Sequence, residues 1–183
     1  FTAEMVRIPT VNPPGDAYEE CAHFIGRRLD DCGFAVEYLT AEGHADHTPS
    51  HPRVNVVGLR EGMTKRPLVH LNGHFDVVPA GAGWTVDPFG GLVRDGRIYG
   101  RGTCDMKGFV ALAMATMVKA KSLDLQRPLQ LALSRDEEVG LLGAPDVSQG
   151  LLDNFAKVDA VIVGEPTEMR VVTGHKSCDD LQF

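Results

Sequence analysis

Apolar positions along the chain fall into two kinds of run. From Ala17 to Asp31, the residues Ala22, Ile25 and Leu29 recur at intervals of three and four, the spacing that lines one face of an α-helix, and Gly33 stands where a left-handed residue ends such a helix. The pattern predicts a surface helix with one buried face. Elsewhere the apolar runs are short and unbroken. Phe34–Leu39, Val54–Leu59, Leu68–Leu71, Leu129–Leu133 and Val158–Val163 are rich in Val, Ile or Leu, so they read as buried strands. Met106–Lys121 is longer and rich in Ala, Met and Leu, which predicts a helix crossing over the sheet. Strand, helix and strand in alternation predict an α/β fold with a mainly parallel sheet flanked by helices. Ala41–Pro52 holds Gly, Pro, Ser and three His with no apolar period, and Ala80–Gly102 is dense in Gly and Asp; the first reads as an exposed loop and the second as a loop and hairpin region.

Composition narrows the function classes. At 183 residues, 43% apolar and 23% charged, the chain can bury a sizeable core as one domain, which excludes a disordered or collagen-like protein. A net charge of -7 offers no basic footprint for phosphates, so no nucleic-acid partner is expected, while acidity suits a protein that holds cations. No apolar run reaches the roughly 18 residues that span a bilayer, and no basic stretch followed by an apolar core opens the chain. A cytoplasmic protein without a membrane partner is expected. Cys21, Cys32, Cys104 and Cys178 form no CxxC pair, which points to reduced thiols. Phe1 in place of a start Met leads us to expect residues upstream.

The chemistry gathers after three of the strands. Leu68–Leu71 is followed by His74, Phe75 and Asp76, Leu129–Leu133 by Asp136, Glu137 and Glu138, and Val158–Val163 by Glu165, while Asp105 opens the long helix. Ligands bind at the carboxyl ends of strands in open α/β sheets, so these groups should converge on one crevice. Several carboxylates in a partly desolvated cleft repel one another unless a cation neutralises them. A metal site follows. One imidazole with several carboxylates suits zinc, and their number is natural for two ions sharing a bridge. Extended alternation puts His74 and Asp76 on one side with Phe75 turned away, so Asp76 can orient the imidazole from behind. Glu137 and Glu138 point in different directions, so one can hold metal while the other handles a proton, with no indication here of which does which.

These residues sit inside longer motifs. Gly73-His74-Phe75-Asp76-Val77-Val78-Pro79, Trp84-Thr85-Val86-Asp87-Pro88-Phe89, Tyr99-Gly100-Arg101-Gly102-Thr103-Cys104-Asp105-Met106-Lys107-Gly108, Asp136-Glu137-Glu138-Val139-Gly140 and Gly164-Glu165-Pro166-Thr167 resemble, in order, the co-catalytic zinc family of acetylornithine deacetylase, succinyl-diaminopimelate desuccinylase, aminoacylase and glutamate carboxypeptidases. The resemblance implies a zinc-peptidase-like catalytic domain with two Zn2+ per complete subunit, Co2+ being a conceivable substitute. It implies that His74 and Glu165 hold one zinc, Asp105 bridges, Glu138 holds the other, Glu137 is the general base and Asp76 is the aspartate behind the first histidine. Leu133–Gly140, Glu165–Met169 and Val172–Lys176 are most similar to acetylornithine deacetylases. The implied activity is hydrolysis of an N-acyl amino acid, N2-acetylornithine first, in arginine biosynthesis; the desuccinylase and a broader aminoacylase or dipeptidase are the alternatives, and a homodimer is implied for the full-length protein.

Two features depart from the family. Its last zinc-binding histidine, beyond an inserted lid or dimerisation domain, has no counterpart here, and Ser177–Phe183 does not follow the family pattern. Residues 1–173 are therefore expected to form the N-terminal part of the catalytic domain and 174–183 the start of a linker to a lid, and a chain ending here is expected to be inactive alone. A reading of another class is a metal-binding interaction module; the presence of both Glu137 and Glu138 argues against it, since a binder needs no spare carboxylate beside a ligand. Among neighbouring residues, His70 is expected to be buried and paired, Gly100-Arg101-Gly102 to be a tight turn, Asp136 to cap a following helix, and Lys107 and Arg101 either to meet a substrate carboxylate or to balance charge. His44, His47 and His51 lack a rigid element to fix metal geometry, and His175 is left outside the catalysis.

Overall fold

A computed structural model describes residues 1–65, 68–154 and 158–173. The predicted helix forms as α2 (Tyr18–Asp31), burying Tyr18, Cys21, Ala22, Ile25 and Leu29. It ends as its sequence dictates: Gly33 adopts φ +78, and the amides of Gly33 and Phe34 donate to the carbonyls of Asp30 and Leu29, so the last turn's carbonyls are satisfied. A short helix α1 (Thr2–Val6) precedes it. The strands are β1 (Ala35–Thr40), β2 (Val54–Arg60), β3 (Leu68–His74), β6 (Leu129–Ser134) and β7 (Val158–Val163), with a small hairpin of β4 (Leu92–Arg94) and β5 (Arg97–Tyr99); α3 (Lys107–Ala120) and α4 (Ala144–Asn154) complete the described elements.

The five long strands form one mixed sheet in the order β1-β2-β6-β3-β7. β3 runs parallel to β6 and β7, whereas β2 is antiparallel to both β1 and β6, so four strands share a direction and β2 alone opposes them. Within the apolar runs the strand period of two still sorts side chains. Val56, Leu131 and Leu133 enter a core packed with α2 and α3, while Val57 and Ala132 turn to the opposite face against Val147 of α4. The outer strands differ from the expectation of burial: β1 is half-exposed, and Val161, Ile162 and Val163 of β7 are each about half-exposed, because each of these strands pairs on one side only among the described residues.

Leu131 is fully buried in the main core, so Leu131→Ala should cost about 2–5 kcal/mol through lost transfer energy and the cavity left behind. Urea unfolding would read this as a lowered midpoint at constant slope; an unchanged midpoint would show that the α2/α3 face of the sheet carries little of the stability.

Candidate metal centre

Register brings the site together. His74 stands opposite Ser134 across β3 and β6, and Asn72 opposite Val163 across β3 and β7. Three parallel strands thus end nearly level, and the residues that follow each must share one crevice. His74 is 1% exposed. Its Nδ1 lies 3.0 Å from the Asp76 carbonyl and 3.5 Å from Asp76 Oδ1, so an Nδ1–H donated to the carbonyl leaves Nε2 as the ring's ligand atom. Nε2 faces the carboxylates: Asp105 Oδ1 at 3.1 Å, Glu137 Oε2 at 3.7 Å and Glu165 Oε1 at 3.7 Å. Asp105 arrives from the turn before α3. That turn is as tight as expected, since Gly102 has φ +80 and a Cβ on Gly100 would lie 2.6 Å from Val6 Cγ1.

Among the described residues, two groups have metal-holding geometry, with ligand atoms mutually within 4.8 Å: His74 with Asp105 and Glu165, and His74 with Glu137 and Glu138. The first matches the set implied for one zinc. The second joins both glutamates to His74 rather than joining Glu138 to Asp105. Every sequence-predicted site residue is therefore at or beside the cluster. Asp76 does more than stand behind the imidazole, because its buried carboxylate also accepts the amides of Glu137 at 3.2 Å and Glu138 at 3.1 Å.

The electrostatics are those of a cation site. Burial, then the Asp105 charge, raises the Glu138 carboxyl to about 7. Burial likewise raises Glu137, aided by the Asp76 and Asp105 charges, and Glu165, aided by those of Asp105 and Glu137. Burial by itself would lower His74, but the Asp76 hydrogen bond and the charges of Asp76, Glu137 and Glu165 outweigh it and bring the imidazole up to about 9. Carboxylates raised together and an imidazole holding its proton mark a cleft whose negative charge calls for a cation. The donor set of one imidazole and several carboxylates fits zinc.

The neighbouring residues take structural parts. His70 is buried with Nδ1 2.7 Å from Gln130 Oε1, as expected. Lys107 meets neither expectation: it is fully buried, and its Nζ donates to the carbonyls of Met5 and Ile8, tying α1 to α3. Arg101 donates to the carbonyls of Pro79 and Ala80 and lies over the Trp84 ring. His47 Nδ1 accepts the Arg53 amide, and His51 Nε2 lies 3.3 Å from Asp16. Asp136 is not a helix cap, because α4 begins only at Ala144; it is buried among Asn12, Tyr18, Arg53 and Arg135. That cluster was not expected from the sequence, whose signal for it is Asn12, a polar residue between Val11 and Pro13. His175 and the expected linker 174–183 lie outside the described residues.

The sequence model of peptidase family M20/M25/M40 matches residues 70–176. The chain belongs to this family. Among M20 relatives, a succinyl-diaminopimelate desuccinylase of Zymomonas mobilis is 34% identical over 171 residues, 92% of this chain and 42% of the relative. An acetylornithine deacetylase of Myxococcus xanthus is 40% identical over 153 residues, 81% of this chain and 37% of the relative. The chain thus spans about two fifths of the length of these curated relatives. The M20 fold is shared with human carnosine dipeptidase 1 (TM-score 0.74, 22% identity, 88% of this chain and 36% of that one). It is also shared with an M20 metallo-carboxypeptidase of Sulfolobus solfataricus (TM-score 0.72, 20% identity, 89% and 36%).

Proposed function

We propose that the chain carries the metal centre of an amidohydrolase that removes the acyl group from an N-acyl amino acid, with N2-acetylornithine as the leading substrate and a place in arginine biosynthesis. The observation that carries this reading is the Glu137 carboxylate, 3.7 Å from His74 Nε2, a half-buried acid beside the His74, Asp105 and Glu165 group and itself grouped with His74 and Glu138, which we assign to proton transfer. His74, Asp105 and Glu165 would hold one zinc, and Asp105 and Glu138 would contribute to a second. Bound zinc supplies Lewis acidity toward the acyl carbonyl and eases loss of a proton from water. Glu137 takes that proton as the water attacks and delivers it to the departing amine nitrogen, giving a free amino acid and acetate. Burial, which raises Glu137, moves it toward the range in which a carboxylate can both accept and return a proton near neutrality.

The desuccinylase reading stands second, supported by the Zymomonas mobilis relative. A cytoplasmic setting agrees with the free thiols of Cys21, Cys32 and Cys104. Among the described residues, no helix is long and apolar enough to cross a membrane. Assay of the full-length protein that contains this chain on N-acetylornithine and N-succinyl-diaminopimelate, with zinc quantified beforehand, tests the reading. The expected result is about two zinc ions per chain and a higher kcat/KM on the acetyl substrate. A higher value on the succinyl substrate would exchange the two readings, and bound zinc with turnover of neither would favour a metal-binding module.

A further inference from the structure

The Asp136 carboxylate has no part in the ligand set or the proton transfer above, yet it is 1% exposed and surrounded by donors. Its Oδ1 accepts Asn12 Nδ2 at 2.9 Å and the Tyr18 hydroxyl at 2.9 Å. Oδ2 accepts Arg135 Nη1, and Arg53 Nη1 lies 3.5 Å from Oδ1. Two arginines already neutralise the charge, so the neutral donors add direction rather than compensation. They come from the segment that also holds the stretch after β3. The Asn12 amide donates to the Val77 carbonyl and the Val77 amide to the Thr10 carbonyl, each at 2.9 Å. The Thr10 hydroxyl donates to the Phe75 carbonyl, and the Tyr18 ring stands edge-on to Phe75. Asp136 has φ +55, a left-handed conformation that Asp adopts more readily than most non-glycine residues and that its side-chain hydrogen bonds help to hold here. It immediately precedes Glu137 and Glu138, whose amides are the ones bound to Asp76.

We propose that Asp136, held by Asn12 and Tyr18, is a positioning residue that sets Glu137 and Glu138 against His74, so that the segment Thr10–Tyr18 governs the geometry of the site without touching substrate. Two of the three strand ends that carry site groups, residues 75–77 and 136–138, are gripped by this one segment. The proposal rests on the reading of Glu137 as base and Glu138 as metal ligand.

Tyr18→Phe tests it in the full-length protein, because the ring remains against Phe75 while the donor to Asp136 is lost. At a temperature well below unfolding, kcat should fall by about tenfold with KM within about twofold, the signature of misplaced reacting groups. The visible spectrum of the Co2+-loaded protein should change as ligand geometry shifts. Asn12→Leu should act in the same way, and the double variant should lose less than the product of the two, since both donors share one oxygen. Folded variants with wild-type kcat and an unchanged cobalt spectrum, or losses that track only the unfolded fraction, would overturn the proposal. Glu137→Gln measured in parallel separates the two failures. If the wild type turns over and Glu137→Gln does not, the reading stands and Tyr18→Phe decides the proposal; if the wild type hydrolyses neither substrate, the reading falls and the cobalt spectrum alone decides.

Discussion

Glu137→Gln should leave zinc in place and lower turnover on the order of 10²–10⁴-fold, the usual cost of losing a general base. The amide keeps the shape of the side chain beside His74 Nε2 but cannot take a proton. Its backbone amide still donates to Asp76, so the loop should not move. Glu138→Gln should behave in the opposite order. There an anionic ligand becomes a neutral amide, zinc binds more weakly, and excess metal partly restores activity. Zinc per chain and turnover, measured for both variants of the full-length protein with and without added metal, decide the assignment. Loss of zinc from Glu137→Gln with retention by Glu138→Gln would reverse the two roles. The second metal group, which holds both glutamates with His74, makes that comparison necessary, because distance alone places each of them within reach of a metal.

The parts of the fold legible from sequence were those that local chemistry dictates. α2 shows its buried face at three- and four-residue spacing and its end at Gly33, and each long strand appears as an apolar run. The direction of β2 was not legible: a strand buried on both faces, as Val54–Gly58 is, has the same apolar character whichever way it runs, and only its pairing with β1 and β6 reveals it. The exposure of β7 was hidden for a related reason, since Val and Ile mark a strand without saying how many neighbours it has. At the site, the placement of His74, Glu137, Glu138 and Glu165 after strand carboxyl ends, with Asp105 opening the long helix, predicted their convergence, and repulsion among the carboxylates predicted the need for a cation. What escaped was the support beneath it. Asp136 is 118 residues from Tyr18 and 124 from Asn12 in the chain, and a single buried polar residue carries no periodic signal to announce a partner so far away. Lys107 escaped in the same manner, its ammonium turned inward to two carbonyls of the N-terminal segment.

Asp76→Ala should weaken the site and the fold together. The carboxylate is fully buried and has three duties: it accepts the amides of Glu137 and Glu138, and it lies 3.5 Å from His74 Nδ1. Removing it leaves two part-buried amides without their acceptor, at up to about 1–3 kcal/mol for each one that water does not reach, and leaves the imidazole Nδ1 with the Asp76 carbonyl as its acceptor. Loss of a group that orients a metal-binding histidine typically costs about 10–100-fold in metal affinity. Asp76→Asn separates these contributions. Its amide oxygen can still accept one of the two amides, but its NH2 faces the other donor, so stability should fall less than in Asp76→Ala while zinc affinity falls comparably, the negative charge being gone in both. Urea unfolding of the metal-free protein gives the first quantity and competition against a zinc chelator the second. If both variants unfold at the wild-type midpoint and hold zinc as tightly as wild type, the amides of Glu137 and Glu138 do not depend on this carboxylate, and the coupling of the strand ends through Asp76 is wrong. If stability falls and zinc affinity does not, the carboxylate serves the loop alone, and His74 takes its orientation from the carbonyl.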